Sequence, residues 1–134
     1  KGSTTTGAFA LDNLRHVKID TAFMGTDGFK DCQGPTTFSF QELSVKQKVI
    51  EQSKQKILVC DRSKFFKTGT YPFARFSDYD KIITNPIDPK EKAMIDSAKE
   101  IVIIDPITRK QNNRMKKRFK NTMIYFLLQR FFNV

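Results

Sequence analysis

The sequence predicts an α/β fold with a mainly parallel sheet flanked by helices. Four short runs are largely apolar, as strands are when both faces of a sheet are covered, and segments of helical period separate them. The runs occupy residues 19–24, 56–60, 81–84 and 101–104. Two of them stop abruptly at clusters of small and charged residues, which predicts a ligand crevice at the carboxyl edge of the sheet.

The chain before the second helix is rich in turn-forming residues. Small polar residues predict a loop over residues 1–8, and apolar spacing predicts a short helix over residues 9–16. After the strand at residues 19–24, glycines and a proline predict a long loop over residues 25–38.

The second helix has the clearest start signal. Ser39 is a suitable N-cap, and Glu42 completes a capping-box pattern in which its carboxylate reaches back to the N-cap backbone. Apolar residues at helical spacing then predict a helix over residues 40–54, with a charged outer face. The strand at residues 56–60 follows.

The second half of the domain repeats the alternation of strand and helix. Residues 65–80 are rich in aromatic side chains, which we expect to pack over the sheet, with stacking on nucleic-acid bases as the alternative. After the strand at residues 81–84, Asp88 as N-cap, Pro89 and Glu91 predict the start of a third helix.

The net charge of +10 is unevenly distributed. Residues 1–105 contain sixteen Lys and Arg and all fourteen acids, whereas residues 106–134 contain eight basic residues and no acid. We therefore predict a nearly neutral domain over 1–105 and a basic, helical tail over 106–134. The tail suits a membrane surface, nucleic acid or a partner, but a solvated helix packed through its apolar residues 123–128 is the simpler interpretation.

Several classes of chemistry lack their motifs. Cys32 and Cys60 lie too far apart for CxxC redox or zinc chemistry, which favours free thiols in the cytoplasm. The only histidine, His16, suits a surface role. Glycine-rich nucleotide-binding motifs and metal-ligand spacings are absent, and no apolar stretch is long enough for a membrane span, so we expect no cofactor, metal or membrane.

The loop after the first strand is the first candidate site. Thr26, Asp27 and Gly28 can turn sharply and bring backbone N–H groups and a carboxylate near a ligand. An Asx turn, in which Asp27 bonds its own backbone, is an equal alternative. Within the strand, Asp20 needs a partner if it is buried, such as Lys64 or a backbone N–H.

The second candidate is the set Asp61, Ser63 and Lys64 after the second strand. A lysine at a strand end supplies a charge for phosphate or an enolate-like oxygen, while a surface ion pair between Asp61 and Lys64 is the alternative. Because two strands end alike, we favour a small polyhydroxylated or phosphorylated ligand.

These segments resemble, in order and spacing, the C-terminal sensor domain of DeoR-family bacterial transcriptional repressors over about residues 7–105. The segments that carry the resemblance are residues 19–28, residues 34–37, Glu42 with Lys46, residues 58–65 and residues 82–85. It implies a fold like that of ribose-5-phosphate isomerase and a phosphorylated sugar that relieves repression. By motif match, the ligand-binding set is Asp20, Thr26, Asp27, Gly28, Glu42, Lys46, Asp61, Ser63 and Lys64.

The chain also departs from that family's pattern. The N-terminal winged helix-turn-helix that would bind operator DNA is missing, as is the first α/β unit of the sensor, so we expect a truncated domain. A sugar-phosphate isomerase is the alternative function, but Phe29 and Lys30 interrupt the acid-rich run that such isomerases carry after the position of Asp27. An incomplete sheet with open edges further predicts a homo-oligomer.

Overall fold

A computed structural model describes residues 7–105, which adopt the predicted α/β architecture. The helices are α1 (Ala8–Arg15), α2 (Phe40–Gln52) and α3 (Pro89–Ile95). The strands are β1 (Ile19–Met24), β2 (Thr36–Thr37), β3 (Ser53–Val59), β4 (Tyr71–Pro72), β5 (Lys81–Thr84) and β6 (Ile101–Ile103). The predictions for residues 106–134 lie outside the described residues.

Four strands form one parallel sheet in the order β1-β3-β5-β6. Each crossover leads to the neighbouring strand. α2 lies between β1 and β3 in the chain, the aromatic segment (residues 65–80) between β3 and β5, and α3 between β5 and β6. Short β2 and β4 pair separately as an antiparallel ribbon. The prediction of a mainly parallel sheet is therefore confirmed, and its strand order places β3 between β1 and β5.

The junction between α2 and β3 lies earlier in the chain than the sequence predicts, since the predicted helix ends at residue 54 and the predicted strand begins at residue 56. The helix ends at Gln52 and the strand begins at Ser53, with no intervening loop. The Ser53 hydroxyl donates to the Val49 carbonyl oxygen at 2.6 Å, while the extended Ser53 backbone pairs with Ile19 of β1. The serine thus satisfies a carbonyl of the helix end and starts the strand at once, and β3 pairs with β1 from Ile19 to Met24.

The two predicted helix caps differ in outcome. At α3, an Asp88 Oδ1 atom accepts from the Glu91 N–H at 2.8 Å and a Glu91 Oε2 atom accepts from the Asp88 N–H at 2.9 Å, which is the reciprocal capping box. At α2, the Ser39 hydroxyl accepts from the Glu42 N–H at 3.3 Å as expected. The Glu42 carboxylate does not reach back; it lies 3.7 Å from the Lys46 ammonium instead.

The aromatic segment supplies much of the core. Phe65 and Phe76 meet the Phe29 ring edge-on, with centroid distances of 4.8 and 5.1 Å. Phe73 and Tyr79 are also buried. These four rings of the segment therefore pack in the core as expected, whereas Phe66 of the same segment is 62% exposed. No helix within residues 7–105 is both long and apolar enough to cross a bilayer.

Candidate functional site

The sheet brings three polar segments to one edge. Register pairs Met24 with Leu58 and Val59 with Ile83, so β1, β3 and β5 end at nearly the same level. The residues that follow these strands are therefore neighbours at the carboxyl edge, as the sequence predicts for parallel strands.

Thr26 and Gly28 build the loop after β1. The Thr26 hydroxyl accepts from the Gly28 and Thr36 N–H groups at 3.1 and 3.2 Å, and its own proton can go to either of their carbonyl oxygens at 3.0 Å. A Cβ atom on Gly28 would collide with the Lys67 carbonyl oxygen. Both residues hold the loop in shape, and the buried Thr26 hydroxyl is committed to the backbone.

Asp27 is tied to the segment that precedes α2. Its Oδ2 atom accepts from the Phe38 N–H at 2.8 Å, while its own N–H donates to the Thr36 carbonyl oxygen at 3.0 Å. Asp27 therefore does not form the Asx turn that was the alternative interpretation of this loop. The carboxylate bridges the β1 loop to the start of α2, and it is only partly buried.

Lys46 extends from α2 to the end of β1. Its ammonium group donates to the Gly25 carbonyl oxygen at 3.3 Å and lies 4.9 Å from the centroid of the Phe73 ring. The Lys46 side chain is only 20% exposed. Glu42, one turn earlier on the same helix face, partly balances its charge. The structure thus places a cation beside the first strand end.

Asp61 caps the 3₁₀ turn Arg62–Phe66, which follows β3. Its Oδ1 atom accepts from the Ser63 N–H at 2.7 Å, and its carbonyl oxygen accepts from the Lys64 N–H at 3.0 Å. The Lys64 carbonyl oxygen in turn accepts from the Phe29 N–H at 3.1 Å. Among residues 7–105 the Lys64 ammonium forms no ion pair, so the surface pair with Asp61 is not what the structure shows.

Cys60 lies at the base of this edge and is fully buried. Burial raises the pKa of its thiol from 9.0 to about 12, partly offset by a hydrogen bond with the Thr84 side chain. The thiol is therefore protonated at neutral pH and packs as a small apolar group, as its sequence context predicts.

An ion-pair cluster that the sequence did not predict lies beside Asp61. The Arg62 Nε atom donates to both Glu91 carboxylate oxygens at 2.8 and 2.9 Å, and an Nη atom lies 3.3 Å from Asp88. The Arg62 N–H donates to the Asn85 side-chain oxygen at 2.7 Å. The hydrogen bond with Glu91 raises the pKa of Arg62. In the sequence, only Asn85 at the end of a strand could have indicated this cluster, because Asp88 and Glu91 are typical helix-cap residues.

Asp20 is not brought together with the other predicted residues. It lies near the amino end of β1, about 13 Å along the strand from Met24. Its carboxylate is 81% exposed and pairs with Lys54 at 2.9 Å. Asp20 is therefore not buried, and its partner is Lys54 and neither of the two that were considered for it, Lys64 or a backbone N–H.

A concave surface lies elsewhere on the molecule. This open groove of about 630 Å³ is lined by residues 31–33, residues 75–77, Met94 and Ser97. None of the nine predicted ligand-binding residues lines it. Within residues 7–105 there is also no group of three His, Cys, Asp or Glu side chains arranged to hold a metal ion.

Taken together, the strand order β1-β3-β5-β6 and the polar groups gathered at the carboxyl ends of these strands define an open α/β domain with a parallel sheet. The chain belongs to the DeoR family: the model of the DeoR C terminal sensor domain matches residues 1–86. The resemblance drawn from the motifs is thus confirmed.

Relatives of known name agree with this assignment. An HTH-type transcriptional regulator of Haemophilus influenzae is 35% identical over 80 residues, covering 60% of this chain and 31% of that protein. The HTH-type transcriptional repressor GlcR of Bacillus subtilis is 32% identical over 79 residues, 59% of this chain and 30% of its own length. The glycerol-3-phosphate regulon repressor of Escherichia coli is 26% identical over 83 residues, 62% and 33% respectively. The chain spans about a third of the length of these relatives.

Proposed function

We propose that this chain is the effector-binding domain of a DeoR-type transcriptional repressor of sugar metabolism, and that its effector is a phosphorylated sugar. The observation that carries the proposal is that the Lys46 ammonium lies beside the end of β1 and that Lys64 lies in the turn after β3, the neighbouring parallel strand. The name of the glycerol-3-phosphate regulon repressor, a relative, points to the same ligand chemistry.

The side chains at this edge suit separate parts of such a ligand. Asp27 and Asp61 each accept a backbone N–H, and these bonds orient their carboxylates while leaving lone pairs for sugar hydroxyls. The ammonium groups of Lys46 and Lys64 would neutralise phosphate, and the exposed Ser63 hydroxyl would donate to it. Thr26, Gly28 and Glu42 act by shaping the loop and steadying Lys46.

Regulation then follows from linkage between two sites. A ligand that prefers one conformation of the sensor shifts the whole repressor toward that conformation by its differential affinity. We propose that operator DNA is bound in the cytoplasm by a helix-turn-helix domain of the kind named in the relatives, and that sugar phosphate binding here releases it.

The test is a thermal-shift screen of the purified chain against ribose 5-phosphate, glucose 6-phosphate, fructose 1-phosphate and glycerol 3-phosphate, each beside its unphosphorylated counterpart. A ligand at about a hundred times its Kd stabilises the folded state by about 2.7 kcal/mol, which moves the Tm by several degrees. We expect one phosphorylated compound to do so and its counterpart not. Equal shifts with both members of every pair, or none, would contradict the proposal.

A matched pair of variants locates the site. Lys64→Met should weaken binding about tenfold, because a charge-assisted hydrogen bond to phosphate is lost. Lys54→Met removes the same charge at the opposite edge of the sheet, where Lys54 pairs with Asp20, and should bind normally.

With ribose 5-phosphate we also expect no isomerisation; turnover that Asp27→Asn abolishes would make the domain an enzyme.

A further inference from the structure

The turn that carries Ser63 and Lys64 is anchored from outside the proposed site. Asp61 caps this turn and the Phe29 N–H donates to its Lys64 carbonyl oxygen, while the turn's side-chain hydrogen bonds to the rest of the fold within residues 7–105 all run through Arg62. The Arg62 N–H is held by Asn85 at the end of β5, and its guanidinium is held by Glu91 and Asp88 at the start of α3.

The chemistry of this cluster argues against direct ligand binding by Arg62. One guanidinium faces two carboxylates, so the cluster has a net negative charge and does not attract phosphate. Glu91 is only 6% exposed, and both of its oxygens accept from the same Nε atom while one also accepts the Asp88 N–H. A buried carboxylate with this many donors is costly to separate from its arginine. The arginine is therefore fixed to α3.

We propose that Arg62 is a positioning residue for the effector site: together with Glu91 and Asn85 it forms a clamp that fixes the turn Arg62–Phe66, and with it Ser63 and Lys64, against the ends of β5 and α3. This role rests on the proposed function, because Ser63 and Lys64 are assigned to the ligand there. It adds Arg62, Glu91 and Asn85 to the residues that set effector affinity, although none of the three contacts the ligand.

The clamp is removed without a change of net charge by the double variant Arg62→Met with Glu91→Gln. The glutamine side chain in this variant keeps an oxygen for the Asp88 N–H, so α3 retains its cap and no unpaired charge is left buried. The matched control is Lys81→Met with Glu100→Gln, which removes another ion pair, 3.2 Å apart, at the amino edge of the sheet.

Two measurements on both double variants test the clamp. The first is amide hydrogen exchange at Ser63 and Lys64, whose N–H groups bond to Asp61; it should accelerate about tenfold in the clamp variant and stay unchanged in the control. The second is the affinity, measured by calorimetry, for the member of the sugar phosphate panel that wild type binds most tightly. This affinity should fall about tenfold in the clamp variant alone, while the Tm of that variant stays close to the Tm of wild type.

The outcomes separate this inference from the proposed function. Unchanged exchange at Ser63 and Lys64, or unchanged affinity with faster exchange, would overturn the clamp. If wild type binds no member of the panel, the proposed function fails, and the exchange measurement alone decides whether Arg62 positions the turn. Should the double variant not fold, Glu91→Gln alone, which replaces a charged acceptor by a neutral one, should shift both readouts in the same direction by less.

Discussion

At the residue scale, the candidate site consists of two kinds of polar group that look alike in the sequence. The Thr26 hydroxyl is committed to backbone groups and serves the loop, whereas Lys64 forms no ion pair within residues 7–105. The distinction matters for mutagenesis, because loss of the first kind changes stability and loss of the second changes binding.

Replacing Thr26 by Val should destabilise the domain by about 1–3 kcal/mol, because the buried Gly28 N–H loses its acceptor, whereas the Thr36 N–H keeps the Gly28 carbonyl oxygen at 3.0 Å. The same change at Thr21, which is exposed on β1, should cost under about 0.5 kcal/mol. Urea unfolding of the two isosteric variants measures the difference. A Thr26 variant as stable as wild type but deficient in ligand binding would instead make this hydroxyl a ligand contact.

The buried Cys60 thiol predicts a loss of stability in alkali. Its pKa rises from 9.0 to about 12 on folding, so the folded state favours the neutral thiol. That contribution is complete below 9.0 and is lost as the pH rises toward 12, at up to about 1.4 kcal/mol per pH unit. The difference in unfolding free energy between wild type and Cys60→Ser should therefore shrink as the pH rises above 9.0. A difference independent of pH would show that the thiol ionises freely in the folded state.

At the element scale, what could be predicted from the sequence is what local patterns encode. The start of α3 follows from Asp88, Pro89 and Glu91, and the parallel strands follow from apolar runs separated by helices. Contacts between distant segments have no such signature. The bond from Asp27 to Phe38 and the Arg62–Glu91 pair depend on how loops meet after the sheet has formed, and for this reason the clamp and the exposed position of Asp20 were missed.

The cap of α3 can be separated from its ion pair. Asp88→Ala removes the acceptor of the Glu91 N–H and should cost about 1–2 kcal/mol, whereas Asp88→Asn keeps an N-cap oxygen and loses only the half-exposed contact with Arg62. The asparagine variant should therefore lose no more than about 0.5 kcal/mol. Equal losses in thermal unfolding would assign the stability to the ion pair and not to the cap.

At the scale of the whole molecule, the sheet formed by residues 7–105 has β1 and β6 at its edges. Edge strands present unpaired backbone groups that tend to find partners, and Phe38 and Phe40 add exposed apolar surface at 63% and 64% exposure. We therefore keep the prediction of a homo-oligomer. Light scattering at micromolar concentration should give a dimer or larger particle, and a strict monomer would refute it.

The central claim is that a phosphorylated sugar binds at the carboxyl edge of the sheet. The most direct measurement is a titration of the ¹⁵N-labelled chain with the sugar phosphate that gives the largest thermal shift, followed by amide chemical shifts. We predict changes concentrated at Asp27, Ser63 and Lys64, with Asp20 and Lys54 at the opposite edge unaffected. Changes concentrated in the groove of residues 31–33 and 75–77, or spread evenly over the sheet, would contradict the account.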